Sequence, residues 1–149
     1  MNLSVKIAQK SILLHFLSTF AGMKSLTDTE YIHLLIAEGE HQKQDFKFEI
    51  SDARKIAKTL SAFANTDGGR LLIGVKDNGK IAGVRSDEEQ YMIEAAAQIY
   101  CLPEVNYSMR TFHAEGRNVL VVQIEESLRK PVYAKDETGK PLAYLRIKD

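Results

Sequence analysis

A chain of 149 residues, 44% apolar and 27% charged, is long enough for one domain with its own core and too balanced for extended disorder or a bundle of membrane helices. Twenty Lys/Arg cancel twenty Asp/Glu, which excludes a generally cationic protein that coats nucleic acid and confines any anion binding to a local surface. Cys101 is the single cysteine, so an intramolecular disulfide and an intrachain cysteine zinc cluster are excluded, and a reducing, cytoplasmic setting fits.

The first expected element is a helical arm over residues 1–26. The apolar run 12–21, preceded by Lys6 and Lys10, has the layout of a short signal-peptide core, yet it is shorter than a membrane span of ~20 residues and contains His15. Val5, Ala8, Ile12, Phe16 and Phe20 recur instead at helical spacing, the pattern of an amphipathic helix that packs on a partner, including a second copy of the chain. Met23 is an alternative start.

The domain proper is expected over residues 27–149. Thr27 and Glu30 have the spacing of a capping box, which predicts a helix over 28–37 that Gly39 can end. Polar and apolar residues alternate over 45–49, predicting a strand with Phe46 and Phe48 on one face. Ser51 or Asp52 can cap a second helix, whose stripe is Ile56, Leu60, Phe63 and Ala64. Gly68 and Gly69 then turn the chain directly into an apolar strand over 70–75, and strand, helix and strand in this order suggest a parallel pair. Asn78-Gly79 predicts a tight turn that returns residues 81–85 antiparallel to 71–75. Ser86 and Glu89 repeat the capping-box spacing before a helix that Pro103 stops. Strands are expected over 106–112 and 118–124, joined at Glu115-Gly116, and over 131–134 and 142–147. The fold class is therefore α+β, a mixed sheet packed with helices and preceded by the helical arm.

Common catalytic arrangements are missing. His15, His33, His41 and His113 lack metalloprotease spacing, no serine lies in a Gly-x-Ser-x-Gly elbow, and the diglycine leads into a strand rather than heading a phosphate-binding helix. Two local constellations remain. Residues 41–85 hold nine Lys/Arg against five Asp/Glu, and Lys43, Lys47, Arg70 and Lys76 there, with Arg146, are candidate contacts to a phosphate backbone. Glu40, Asp45 and Asp77 are candidate oxygen ligands from three segments for Mg²⁺ or Mn²⁺, an ion that could activate water against a phosphodiester. Each acid also has a plain structural use, since Asp77 opens a turn and Glu40 can be solvated. The Asn65-Thr66-Asp67-Gly68-Gly69 corner reads equally as a helix cap with a turn or as a site where turn amides and Arg70 meet phosphate.

Ser61-Ala62-Phe63-Ala64-Asn65-Thr66-Asp67-Gly68-Gly69, followed by Leu72-Ile73-Gly74-Val75, resembles the signature of the Schlafen AlbA type 2 domain family. Gly39 to Lys47 is similar to that family's Gly-Glu-x-x-x-x-Glu-Phe-Lys segment, with Asp45 in place of Glu. Pro131-Val132-Tyr133 and Tyr144-Leu145-Arg146 look like two further family elements, so the likeness covers about residues 30–149. The resemblance implies a nucleic-acid-binding module of transcriptional-regulator type that needs no cofactor. Its second implication comes from Schlafen ribonucleases, whose acids match Glu40, Asp45 and Asp77, although those enzymes are similar to two such lobes joined with a zinc finger. A non-catalytic assembly module is the third reading.

Overall fold

The structure is a computed structural model that describes residues 25–85 and 87–147. The arm expected over residues 1–26 lies outside the described residues except for Ser25 and Leu26, which form no element.

Helix α1 (Asp28–Glu38) starts as expected: Thr27 Oγ1 accepts from the Glu30 amide at 3.1 Å and Glu30 Oε1 accepts from the Thr27 amide at 3.2 Å. Gly39, with φ of +73°, ends it. Strand β1 (Gln44–Lys47) and β2 (Gly69–Ile73) are parallel and joined by α2 (Ala53–Asn65), whose Asp52 cap accepts from the Arg54 amide. After α3 (Glu88–Ala95), a π-helical turn (Ala96–Tyr100) leads into β3 (Cys101–Leu102). The hairpin β4 (Tyr107–Ala114) and β5 (Arg117–Ile124) follows, then β6 (Tyr133–Lys135) and β7 (Pro141–Ala143). The main sheet has the order β1-β2-β5-β4 and a small sheet the order β3-β6-β7.

Alternation along the main sheet feeds two cores. Leu71, Ile73, Leu120, Val122 and Ile124 face the α2 stripe of Ile56, Leu60 and Phe63, while Phe46, Leu72, Val121 and Phe112 face Ile32 and Leu35 of α1. The result is a layered α+β domain. No helix among the described residues is long and apolar enough to cross a membrane.

Four expectations need correction. Residues 81–85 are not a strand beside β2; β5 takes that place, with Gly69 to Ile73 opposite Ile124 to Leu120. The tight turn does form, through Lys76 N–H to Lys80 O and Gly79 N–H to Lys76 O, but positive φ at Gly74 and Gly83 diverts the chain and leaves one bridge between Val75 and Ile81. Phe46 and Phe48 part company because β1 ends at Lys47: Phe46 is 4% exposed and Phe48 44%. The last strand is Pro141–Ala143 instead of 142–147, because the backbone beyond it bonds to the end of α2. The cap of α3 is Asp87, with no side-chain bond; Ser86 lies outside the described residues, and the Glu89 carboxylate is buried.

Candidate functional site

Phe63 is fully buried in the last turn of α2, and its ring carries the Arg146 guanidinium 4.1 Å from its centroid. The other edges of that guanidinium are occupied as well. Arg146 Nε donates to Gln42 O at 2.8 Å, Nη2 donates to His41 O at 3.0 Å, and Nη1 lies 3.7 Å from Asp45 Oδ2. Burial pulls the guanidinium below its ordinary pKa, while the charges of Asp45 and Glu40 oppose that shift. Stacking, two backbone acceptors and a nearby carboxylate make Arg146 a clasp between the C-terminal segment and the entry to β1.

Asn65 completes the clasp. Its Nδ2 donates to Val132 O at 2.8 Å and Tyr144 O at 3.0 Å, and its Oδ1 accepts from Val132 N–H at 2.7 Å. Ser61 Oγ also donates to Val132 O, and Thr66 Oγ1 accepts from the Arg146 amide. A buried amide satisfied on both ends fixes a unique arrangement, because any shift would strand polar groups away from water. The diglycine serves close approach. A Cβ on Gly68 would lie 2.6 Å from Ile124 O and one on Gly69 2.5 Å from Lys43 O, so backbone fills the space a side chain would need. Asp67 Oδ2 accepts from Gln42 Nε2 at 2.6 Å, which ties the same turn to the entry of β1.

Arg70 belongs to a second closed network. Its Nη2 donates to Glu38 Oε2 at 2.8 Å and its Nε to Gln44 Oε1 at 3.1 Å. Gln44 is fully buried and donates to Leu35 O and Gly39 O. The Lys43 amide donates to His41 Nδ1 at 3.1 Å, which leaves Nε2 as the ring donor toward Glu38 Oε1 at 3.3 Å. Burial pushes the Glu38 carboxyl up, but the His41 hydrogen bond and the Arg70 charge outweigh it and hold the group below the ordinary carboxylate range. Sequence reading passed over Glu38, His41 and Gln44 as site residues. The available signal was Gln44 itself, a polar residue on the strand face that carries Phe46.

The candidate residues therefore fall into separate groups. Arg70 and Arg146 are held by protein acceptors rather than displayed, with side chains 18% and 8% exposed. Lys43 and Lys76 are exposed; Lys47 is partly so, with Nζ 3.4 Å from Asp45 Oδ2. Lys76 Nζ lies over the exposed Phe48 ring, 5.8 Å from its centroid. The acids do not assemble. Glu40 and Asp45 both act on Arg146, whereas Asp45 pairs in register with Leu71 near the start of β2 and Asp77 lies beyond its far end. Among the described residues no three His, Cys, Asp or Glu side chains form a metal-ligand group. Gly74 packs its backbone against Gly83.

The clasp unites the four segments whose motifs stand out in the sequence, and comparison with known proteins gives them a common origin. Residues 40–149 match the family described as Schlafen, AlbA_2. No curated protein matches. Among solved structures, the chain is similar to the N-terminal domain of a RecG-related protein of Nitrosomonas europaea, named for its relation to an ATP-dependent DNA helicase. The identity is 27% and the TM-score 0.55, over 84% of this chain and 91% of that one. It also shares its fold with the DIP2311 protein of Corynebacterium diphtheriae, at 19% identity and TM-score 0.52, over 74% of this chain and 23% of that longer one. With the match spanning all four clasp segments, this chain belongs to the Schlafen AlbA_2 family.

Proposed function

We propose that the chain is a nucleic-acid-binding module that holds phosphate through Lys43, Lys47 and Lys76. Its kinship with a RecG-related N-terminal domain carries this reading. The exposure of these lysines supports the choice of contacts, since Arg70 and Arg146 already have protein partners. Lysine ammonium groups offer charge without base discrimination, so binding should be steeply salt-dependent and tolerant of sequence. A transcriptional-regulator role and a cytoplasmic setting belong to the same proposal.

The test is a polarisation titration of single- and double-stranded DNA and RNA at two salt concentrations, with and without Mg²⁺. Lys43→Ala combined with Lys47→Ala and Lys76→Ala should weaken binding across sequences and flatten the slope against log salt by about 0.7–0.9 per lysine removed. Unchanged affinity and slope would sink the assignment. Mg²⁺-dependent cleavage lost in Asp45→Ala would favour the nuclease reading instead.

A further inference from the structure

Phenylalanine has no polar tip to favour a place at the surface, and three of the four phenylalanines among the described residues are buried: Phe46, Phe63 and Phe112. Phe48 is the exception. It is 44% exposed and belongs to neither core. Its placement is nevertheless fixed, because Lys47 O accepts from the Gly74 amide at 2.8 Å and the Val75 amide at 3.2 Å, which pins the peptide leading into Phe48 against the chain just beyond β2. Lys76 leaves the same corner, and its Nζ stands 5.8 Å from the centre of the Phe48 ring.

The charges around the ring suit an anion. Lys76 N–H donates to Lys80 O at 2.9 Å and Gly79 N–H to Lys76 O at 2.8 Å, so the tight turn holds Lys76 and Lys80 opposite one another, both exposed. With Lys47 they make three cations against Glu49 and Asp77 in residues 47–49 and 76–80. A cation on a water-exposed ring, near the ~6 Å limit of a cation–π contact, is weakly held, so Lys76 can exchange the ring for a phosphate. The ring then offers a π-face beside phosphate-binding charge, the pairing by which proteins hold single-stranded nucleic acid.

We propose that Phe48 stacks an unpaired base while Lys47 and Lys76 take neighbouring phosphates, so that the module holds a single strand in preference to a duplex. This rests on the assignment of those lysines to phosphate and adds the class of nucleic acid to it. In a duplex each base face is covered by the next pair, and presenting one to Phe48 requires breaking both stacking and pairing. A single strand offers its bases without that penalty. Every base has a π-face, so the stack discriminates strand from duplex while remaining tolerant of sequence.

The test is a titration of the full chain with a single-stranded thymidine oligonucleotide, the same strand in a duplex, and an abasic strand of equal length. Phe48→Leu keeps an apolar side chain at an exposed position and removes no charge. It should weaken binding of the single strand about tenfold, within the range that one base–aromatic stack supplies, and leave the duplex, the abasic strand and the slope against log salt unchanged. Phe48→Trp should retain strand affinity. Because the chain has no tryptophan of its own, the fluorescence of that variant reports this position alone, and the single strand should quench it while the abasic strand does not. Wild-type affinity in Phe48→Leu overturns the stack, as does a loss shared equally by all three ligands, which would mark a structural role. If Phe48→Leu has no effect while Lys43→Ala with Lys47→Ala and Lys76→Ala still flattens the salt slope, the phosphate assignment survives without the stack; if the wild type binds none of the three ligands, both fall. Melting curves of each variant establish that the domain remains folded.

Discussion

Arg146 and Lys47 approach the same carboxylate oxygen, Asp45 Oδ2, at 3.7 and 3.4 Å, yet their surroundings differ. Arg146 is sealed between Phe63 and two carbonyls, while Lys47 is 39% exposed at the edge strand. The clasp region uses charge to lock chain segments together, whereas the lysine region leaves charge available to a partner. Recognisable motif residues are thus concentrated where the fold is fixed. Of the residues assigned to binding, Lys47 closes a motif, whereas Lys43 and Lys76 are not motif residues.

The comparison is broken most severely by Phe63→Ala. The ring is fully buried and supports Arg146, so truncation should cost about 3–5 kcal/mol, read from denaturant unfolding. A wild-type curve would mean that the clasp is not part of the core. Arg70→Ala should follow at about 3 kcal/mol, since it deprives the 4%-exposed Glu38 of its guanidinium. If stability held and only nucleic-acid affinity fell, Arg70 would belong with the exposed lysines.

Much of the scaffold was legible because its determinants are local. The Thr27–Glu30 box and the α2 stripe follow from spacing over a few residues, and the parallel β1–β2 pair from the order of strand, helix and strand. The roles of Arg70 and Arg146 were not, since each depends on acceptors 26 to 105 residues away in the chain. An arginine beside a diglycine looks like a phosphate ligand until Glu38 is seen to occupy it. The separation of Asp77 from Asp45 was hidden for the same reason: register, which sequence does not display, sets Asp45 against Leu71. The expected strand over 81–85 failed because the Asn78-Gly79 turn was real but β5 offered a longer complementary ladder.

A milder break is Asn65→Ala. Val132 loses partners for both its N–H and its C=O interaction with the amide, although Ser61 still reaches the carbonyl. Leaving one buried amide unsatisfied costs about 1–3 kcal/mol. Hydrogen exchange should rise first at Val132 and along residues 141–147, where the clasp holds the C-terminal segment. Uniformly faster exchange would show that Asn65 supports the whole core rather than this attachment.

The smallest effect sharpens the comparison through acid. Glu38 titrates below its ordinary value of about 4.5 in the folded protein, because its bonds to His41 and Arg70 outweigh burial. A depressed folded pKa contributes stability that is complete above the unfolded value and is lost as pH falls through the folded one. In Glu38→Gln the titrating group is gone. The stability gap between wild type and this variant should therefore be constant at neutral pH and shrink below about pH 4.5, measured as the denaturant midpoint at each pH. A gap that does not narrow in acid would mean that Arg70 is held by geometry and hydrogen bonding to Gln44, with the Glu38 charge contributing little.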